Sequence, residues 1–111
     1  MEVLFKPTKA SEVPIRHDYD QAVSYFVGAA AAGDDIGIKE DKGFAINPWT
    51  AVRFENSKTI LNADSATAMG EYYFTGTDGS ETKVEYTFQY RRASDGSLKI
   101  VVHHSSVPFA A

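Results

Sequence analysis

Residues 83–92, "KVEYTFQYRR", set Val84, Tyr86, Phe88 and Tyr90 against Lys83, Glu85, Thr87, Gln89 and Arg91 in strict alternation. A period of two puts the apolar set on one face of a strand and the polar set on the other. "TAVRFENS" (50–57) alternates in the same way, and "SATAMGEYYFT" (65–75) is rich in small and aromatic residues. "TGTDGSET" (75–82) and "ASDGS" (93–97) carry the Gly, Asp and Ser of tight turns, and "LKIVVHHSS" (98–106) follows as a last strand. Turns this short make consecutive strands pair, which predicts an antiparallel meander.

The first half has fewer strand signals. "EVLFK" (2–6) predicts a short strand stopped by Pro7. "DYDQAVSYFVG" (18–28) predicts a helix capped by Asp18, with Ala22, Tyr25 and Phe26 on one face and Gly28 at its end. "AAAAGDDIGIKEDKG" (29–43) mixes helix formers, glycines and charges and reads as a mobile loop. "INPWTAV" then leads into the sheet, with Pro48 just ahead of the strand. The class is α+β, a curved antiparallel sheet with little helix to cover it. An apolar sheet face must be buried on something. The sheet must curl around its own core, or be covered by a partner or by an N-terminal helix that this chain lacks.

Composition narrows the functional classes. A length of 111 residues gives a single domain over 1–111. The net charge of −4 and the scattered basic residues leave no cationic stripe for nucleic acid. Cysteine is absent, which removes disulfides, thiolate ligands and a cysteine nucleophile. No apolar run is long enough to cross a bilayer, and the N-terminus lacks the basic and apolar segments of a leader. "DDIGIKED" does not have the calcium-loop pattern, and "GTDGS" is a hairpin turn, not a phosphate loop.

The chemistry concentrates in "HHSS" (103–106). Adjacent strand residues face opposite ways, so His103 and His104 cannot both enter one pocket unless a bulge intervenes. Leu98, Ile100 and Val102 mark the apolar face, and strict alternation continues it through His104 and Ser106. A zinc site needs a third ligand, and only His17, in a loop, is left among the histidines. His104 as a proton acceptor with Ser106 beside it is the functional alternative, at the mouth of a pocket lined by Tyr86, Phe88 and Tyr90. No nucleophile-elbow sequence surrounds either serine. The spacing fits equally a core histidine bonded to a tyrosine, with the serines ending the strand.

"FKPTKASEVPIRHDYDQAVSYFVG", "GFAINPWTAVRFEN", "ATAMGEYYFT", "KVEYTFQYRR" and "LKIVVHHSSVPF" together resemble the iota-class carbonic anhydrases of algae and bacteria. That family is related to the association domain of calcium/calmodulin-dependent protein kinase II, within the NTF2-like superfamily. The resemblance implies a cone-like α+β barrel whose bent sheet wraps helices around a deep cavity, and reversible hydration of carbon dioxide to bicarbonate without a metal or other cofactor. It implies site residues at Thr8, Tyr25, His104 and Ser106, the last two chosen by strand alternation, with Tyr86 and Tyr90 lining the cavity against substrate. It also implies a homodimer or larger homo-oligomer, and a plastid location if algal or a cytoplasmic or periplasmic one if bacterial. Family members begin with a long helix that closes the cone. The chain is therefore expected to be a fragment, or one unit of a repeated-domain protein. The competing expectations are a non-enzymatic association or ligand-binding module, with Val101 and Val107 exposed at an interface, and an isomerase or dehydratase of the same fold.

Overall fold

The computed structural model describes residues 2–110. The chain runs β1 (Leu4–Lys6), α1 (Tyr19–Val27), α2 (Ala29–Ala32), a 3-10 turn (Phe44–Ile46), β2 (Trp49–Leu61), β3 (Ser65–Gly76), β4 (Glu81–Arg92) and β5 (Leu98–Ser106). The strands form one curved sheet in the order β1-β5-β4-β3-β2. From β2 to β5 it is the expected antiparallel meander, whereas β1 adds to the far edge parallel to β5. The sheet does not close, so the cone is an open one.

The inner face is aromatic because the alternating positions of β3 and β4 coincide across the ladder. Gly70 pairs with Tyr86, Tyr72 with Val84, and Ala68 with Phe88. Tyr72, Phe74, Val84, Tyr86 and Phe88 form the buried core, with Phe44, Trp49 and Tyr90 packed against it. Gly70 is required by close approach: a Cβ there would lie 2.4 Å from the Glu55 carbonyl oxygen and 2.7 Å from the Tyr86 hydroxyl. The outer face is polar and laced with ion pairs, Arg53 with Glu55 and Glu81, and Lys83 with Glu71.

Helix α1 begins where Asp18 accepts a hydrogen bond from the Gln21 amide at 2.8 Å and stops at Gly28, whose φ of 91° an L side chain tolerates poorly. It lies over the sheet through Tyr25 and Phe26, whose rings pack on Phe5 of β1 at 5.6 and 5.3 Å. The segment 29–43 differs from the mobile loop expected of it. Its start is a helical turn, and its end is tied down by Asp41. The Arg16 side chain is fully buried and forks onto both Asp41 carboxylate oxygens at 2.5 and 2.7 Å. Arg16 also donates to the Gln21 and Val13 carbonyls, and its backbone exchanges two hydrogen bonds with Phe5. Asp41 takes a further bond from the Ser24 hydroxyl, which itself accepts from the Ile38 amide. Glu40 accepts from the amides of Ser11, Glu12 and Val13. One cluster thus joins β1, the 7–16 loop, α1 and the 29–43 segment.

Val101, expected on the outer face, is buried, while Val107 is exposed as expected. The cause is a bulge. Tyr90 pairs with Ile100 but Gln89 pairs with Val102, so Val101 is an extra residue in β5.

Breaking the Arg16–Asp41 pair leaves a charge buried without its partner, which costs about 3–5 kcal/mol. Asp41→Ala should therefore lower the free energy of unfolding in denaturant by about that amount, and a loss below about 1 kcal/mol would contradict the role given to this pair.

Candidate active site

The bulge at Val101 decides which half of "HHSS" meets the core. Up to Ile100, β5 follows the alternation read from sequence, with Ile100 opposite Tyr90. Beyond the extra residue the parity is reversed: His103 pairs with Phe88 and Ser105 with Tyr86, on the inner face. His104 pairs with Thr87 and Ser106 with Glu85, on the outer face, beside Glu71 and Glu85. The expectation that His104 and Ser106 point inward is thus corrected. The run Ile100-Val101-Val102, three apolar residues in succession, was the sequence signal of the irregularity.

A cavity of about 170 Å³ lies between the sheet and the elements that cover it. Its walls are Phe5, Pro7, Phe26, Phe44, Val52, Phe54 and Phe74, and its polar groups come from Thr8, Tyr25, Tyr72, His103 and Ser105. Thr8 and Tyr25 were expected from the sequence, and the structure brings both to this cavity. Tyr86 and Tyr90, expected as substrate contacts, are not part of its lining. The Tyr86 hydroxyl turns to the Asn56 side-chain oxygen at 2.8 Å, and the Tyr90 ring stacks on Phe88. Tyr72, unremarked in the sequence, takes their place. Its hydroxyl is 3.1 Å from His103 Nε2 and in short contact with Ser105 Oγ, which is 3.0 Å from the same nitrogen.

The imidazole of His103 lies between two rings, Phe5 at 4.9 Å and Phe88 at 4.3 Å, nearly parallel to both. Burial among these rings, with a smaller contribution from the neighbouring His104, lowers its pKa from 6.5 to about 4. His103 is therefore a neutral imidazole near pH 7, with a ring nitrogen free to accept a proton. Burial raises the phenol pKa values of Tyr72 and Tyr25. For Tyr72 the hydrogen bond with Ser105 pulls the other way, and for Tyr25 the Lys9 amide, Arg16 and Thr8 do. Both stay protonated, so each hydroxyl has a proton to donate; that of Tyr25 also accepts from the Lys9 amide at 3.3 Å. Among the described residues, no acidic side chain lines the cavity. Among the described residues, no three His, Asp or Glu side chains converge as a set of metal ligands.

The sequence profile of the metal-independent carbonic anhydrase family matches residues 1–107. The chain belongs to that family. It is 40% identical over 108 residues to a metal-independent carbonic anhydrase of Nostoc sp., an alignment covering 96% of this chain. It spans only about half the length of that relative, 50%. The crystal structure of an iota-carbonic anhydrase from a cyanobacterium, complexed with bicarbonate, superposes with a TM-score of 0.87 at 36% identity, covering 99% of this chain and 65% of that one. An NTF2-like protein of unknown function from Pseudomonas putida superposes with a TM-score of 0.60 at 15% identity, covering 97% of this chain and 66% of that one. It shares the fold alone. The open, curved sheet is thus of the NTF2-like kind.

The depressed pKa of His103 has a consequence for stability. Between pH 6.5 and about 4 the unfolded chain binds a proton at this residue and the folded chain does not. Its contribution is complete above pH 6.5 and is lost as the pH falls through that window. Denaturant unfolding across this range should show a slope that flattens in His103→Phe, and nuclear magnetic resonance should show the His103 ring neutral at pH 5. A midpoint near 6.5 for His103 would refute the assignment.

Proposed function

We propose that this chain catalyses the reversible hydration of carbon dioxide to bicarbonate, with His103 and Ser105 as the groups that take the proton from water. The observation that carries this reading is the meeting of a neutral imidazole and two hydroxyls at one end of a cavity whose lining, apart from the hydroxyls of Thr8 and Tyr25, is otherwise apolar. Membership of the metal-independent family and the likeness to an enzyme solved with bicarbonate support it.

Carbon dioxide is small and apolar, and the phenyl-lined space suits it without desolvation of charge. A water bonded to Ser105 would be aimed at its carbon. As the new C–O bond forms, one water proton passes to Ser105 while the Ser105 proton passes to His103 Nε2. The products are bicarbonate and an imidazolium, which later releases its proton to solvent. The hydroxyls of Thr8 and Tyr25 donate to the oxygens that gain negative charge, where exclusion of water strengthens each bond. A base with a pKa near 4 is weak at rest. It strengthens as the anion forms beside it, because an opposite charge favours the imidazolium. Proton acceptance and substrate charge thus develop together.

Assembly with a second copy is part of the same proposal. Val52, Phe54 and Leu61 of the edge strand β2 are exposed, and light scattering that gives a monomeric mass would refute it.

In the full-length protein, His103→Ala and Ser105→Ala should each lower the hydration rate at least about a hundredfold. His104→Ala and Ser106→Ala, on the outer face, should leave it within about twofold, and prior treatment with a chelator should leave it unchanged. Stopped-flow hydration measurements would overturn the reading if the two pairs behaved in the opposite way.

A further inference from the structure

Tyr72 is the one inner-face residue of β3 whose polar atom reaches across β4 to β5. It can do so because its partner on β4 is Val84, the only residue without a ring among the inward positions 84, 86, 88 and 90. Its own ring is fixed by Phe54 at 5.4 Å, Phe74 at 4.8 Å and Tyr86 at 5.0 Å. The hydroxyl therefore arrives at one place, where it closes a triangle with Ser105 Oγ and His103 Nε2.

We propose that Tyr72 is a positioning residue that fixes the direction of proton transfer from Ser105 to His103; this rests on the reading of those two residues as the reacting groups. With Nε2 as the unprotonated nitrogen of the neutral ring, the triangle holds two hydroxyl protons and one ring acceptor. Each hydroxyl donates once, so only one of them gives its proton to Nε2 in a directed chain. A phenol is far more acidic than an alkyl hydroxyl and is the better donor to the serine oxygen. The arrangement with complementary polarity is Tyr72 O–H to Ser105 Oγ, and Ser105 O–H to His103 Nε2. When Ser105 hands its proton to Nε2 and receives one from water, negative charge passes through Oγ. The Tyr72 donation meets that charge in a site that excludes bulk water. Tyr72 itself neither gains nor loses a proton. With the phenol hydroxyl removed, the Ser105 oxygen loses its one buried donor, and the serine proton can turn away from the imidazole.

The test uses the full-length protein and Tyr72→Phe, which keeps the ring and its aromatic contacts. The hydration kcat should fall at least about tenfold, with KM for carbon dioxide changed by less than about twofold. The nitrogen-15 signal of His103 Nε2 should move, while the far-ultraviolet dichroism stays as in the parent. An unchanged kcat, or an effect confined to KM, overturns the inference. If Tyr72→Phe does not fold, 3-fluorotyrosine at position 72 keeps the shape and acidifies the phenol, and a kcat insensitive to it overturns the inference as well. His103→Ala and Ser105→Ala, assayed alongside, separate the two levels. Full activity in them removes the reading of the site, whereas their loss with an intact Tyr72→Phe removes the role of Tyr72 alone.

Discussion

The fork of Arg16 onto Asp41 is the constraint on which the other features rest. The sheet supplies only one side of the cavity. The opposite side is made of Thr8, Tyr25, Phe26 and Phe44, which belong to a loop, a helix and a short turn, with the Tyr25 ring stacked on Phe44 at 5.7 Å. A buried guanidinium can be tolerated only if its donors are met, and here the Asp41 carboxylate and the Gln21 and Val13 carbonyls meet them. Those partners come from the 7–16 loop, from α1 and from the segment that leads into the short turn. The need to satisfy one charge therefore fixes where the lid of the cavity lies. Tyr25 is held from the same centre, with the Arg16 guanidinium 5.6 Å from its ring and the Lys9 amide donating to its hydroxyl at 3.3 Å.

Dryness and chemistry are coupled in this arrangement. The two rings that enclose His103 come from the strands on either side of β5, Phe5 from β1 and Phe88 from β4. Strand pairing thus makes the stack, the stack excludes water, and the exclusion keeps the imidazole neutral. The parallel edge strand, only three residues long, is consequently part of the site, since it carries Phe5 into register with His103.

The sequence disclosed the meander, the turns and the inner face of β4, because period-two patterning and Gly/Asp turns are local signals. It also disclosed α1 with its Asp18 cap and Gly28 stop. It did not show β1 joining the far edge, because parallel pairing across nearly the whole chain leaves no local trace. Nor did it single out Arg16 and Asp41, which look like ordinary surface charges until the fold brings them together. The site was half legible. Thr8 and Tyr25 came from resemblance and line the cavity, but period-two counting through "IVVHHSS" missed the bulge and so put the wrong member of each doublet on the inner face. Tyr72 was hidden among six tyrosines, distinguished only by having Val84 opposite it.

The same bulge gives the doubled motif a property that a single His-Ser pair would not have. A slip of β5 by one position against β4 exchanges the faces of every residue in it. In "HHSS" that exchange replaces one imidazole by another and one hydroxymethyl by another, two positions apart in either case. The strand end is therefore self-similar under a one-residue slip of register. Insertion or loss of one residue upstream changes which copy faces the hollow without emptying it of a base and its neighbouring alcohol.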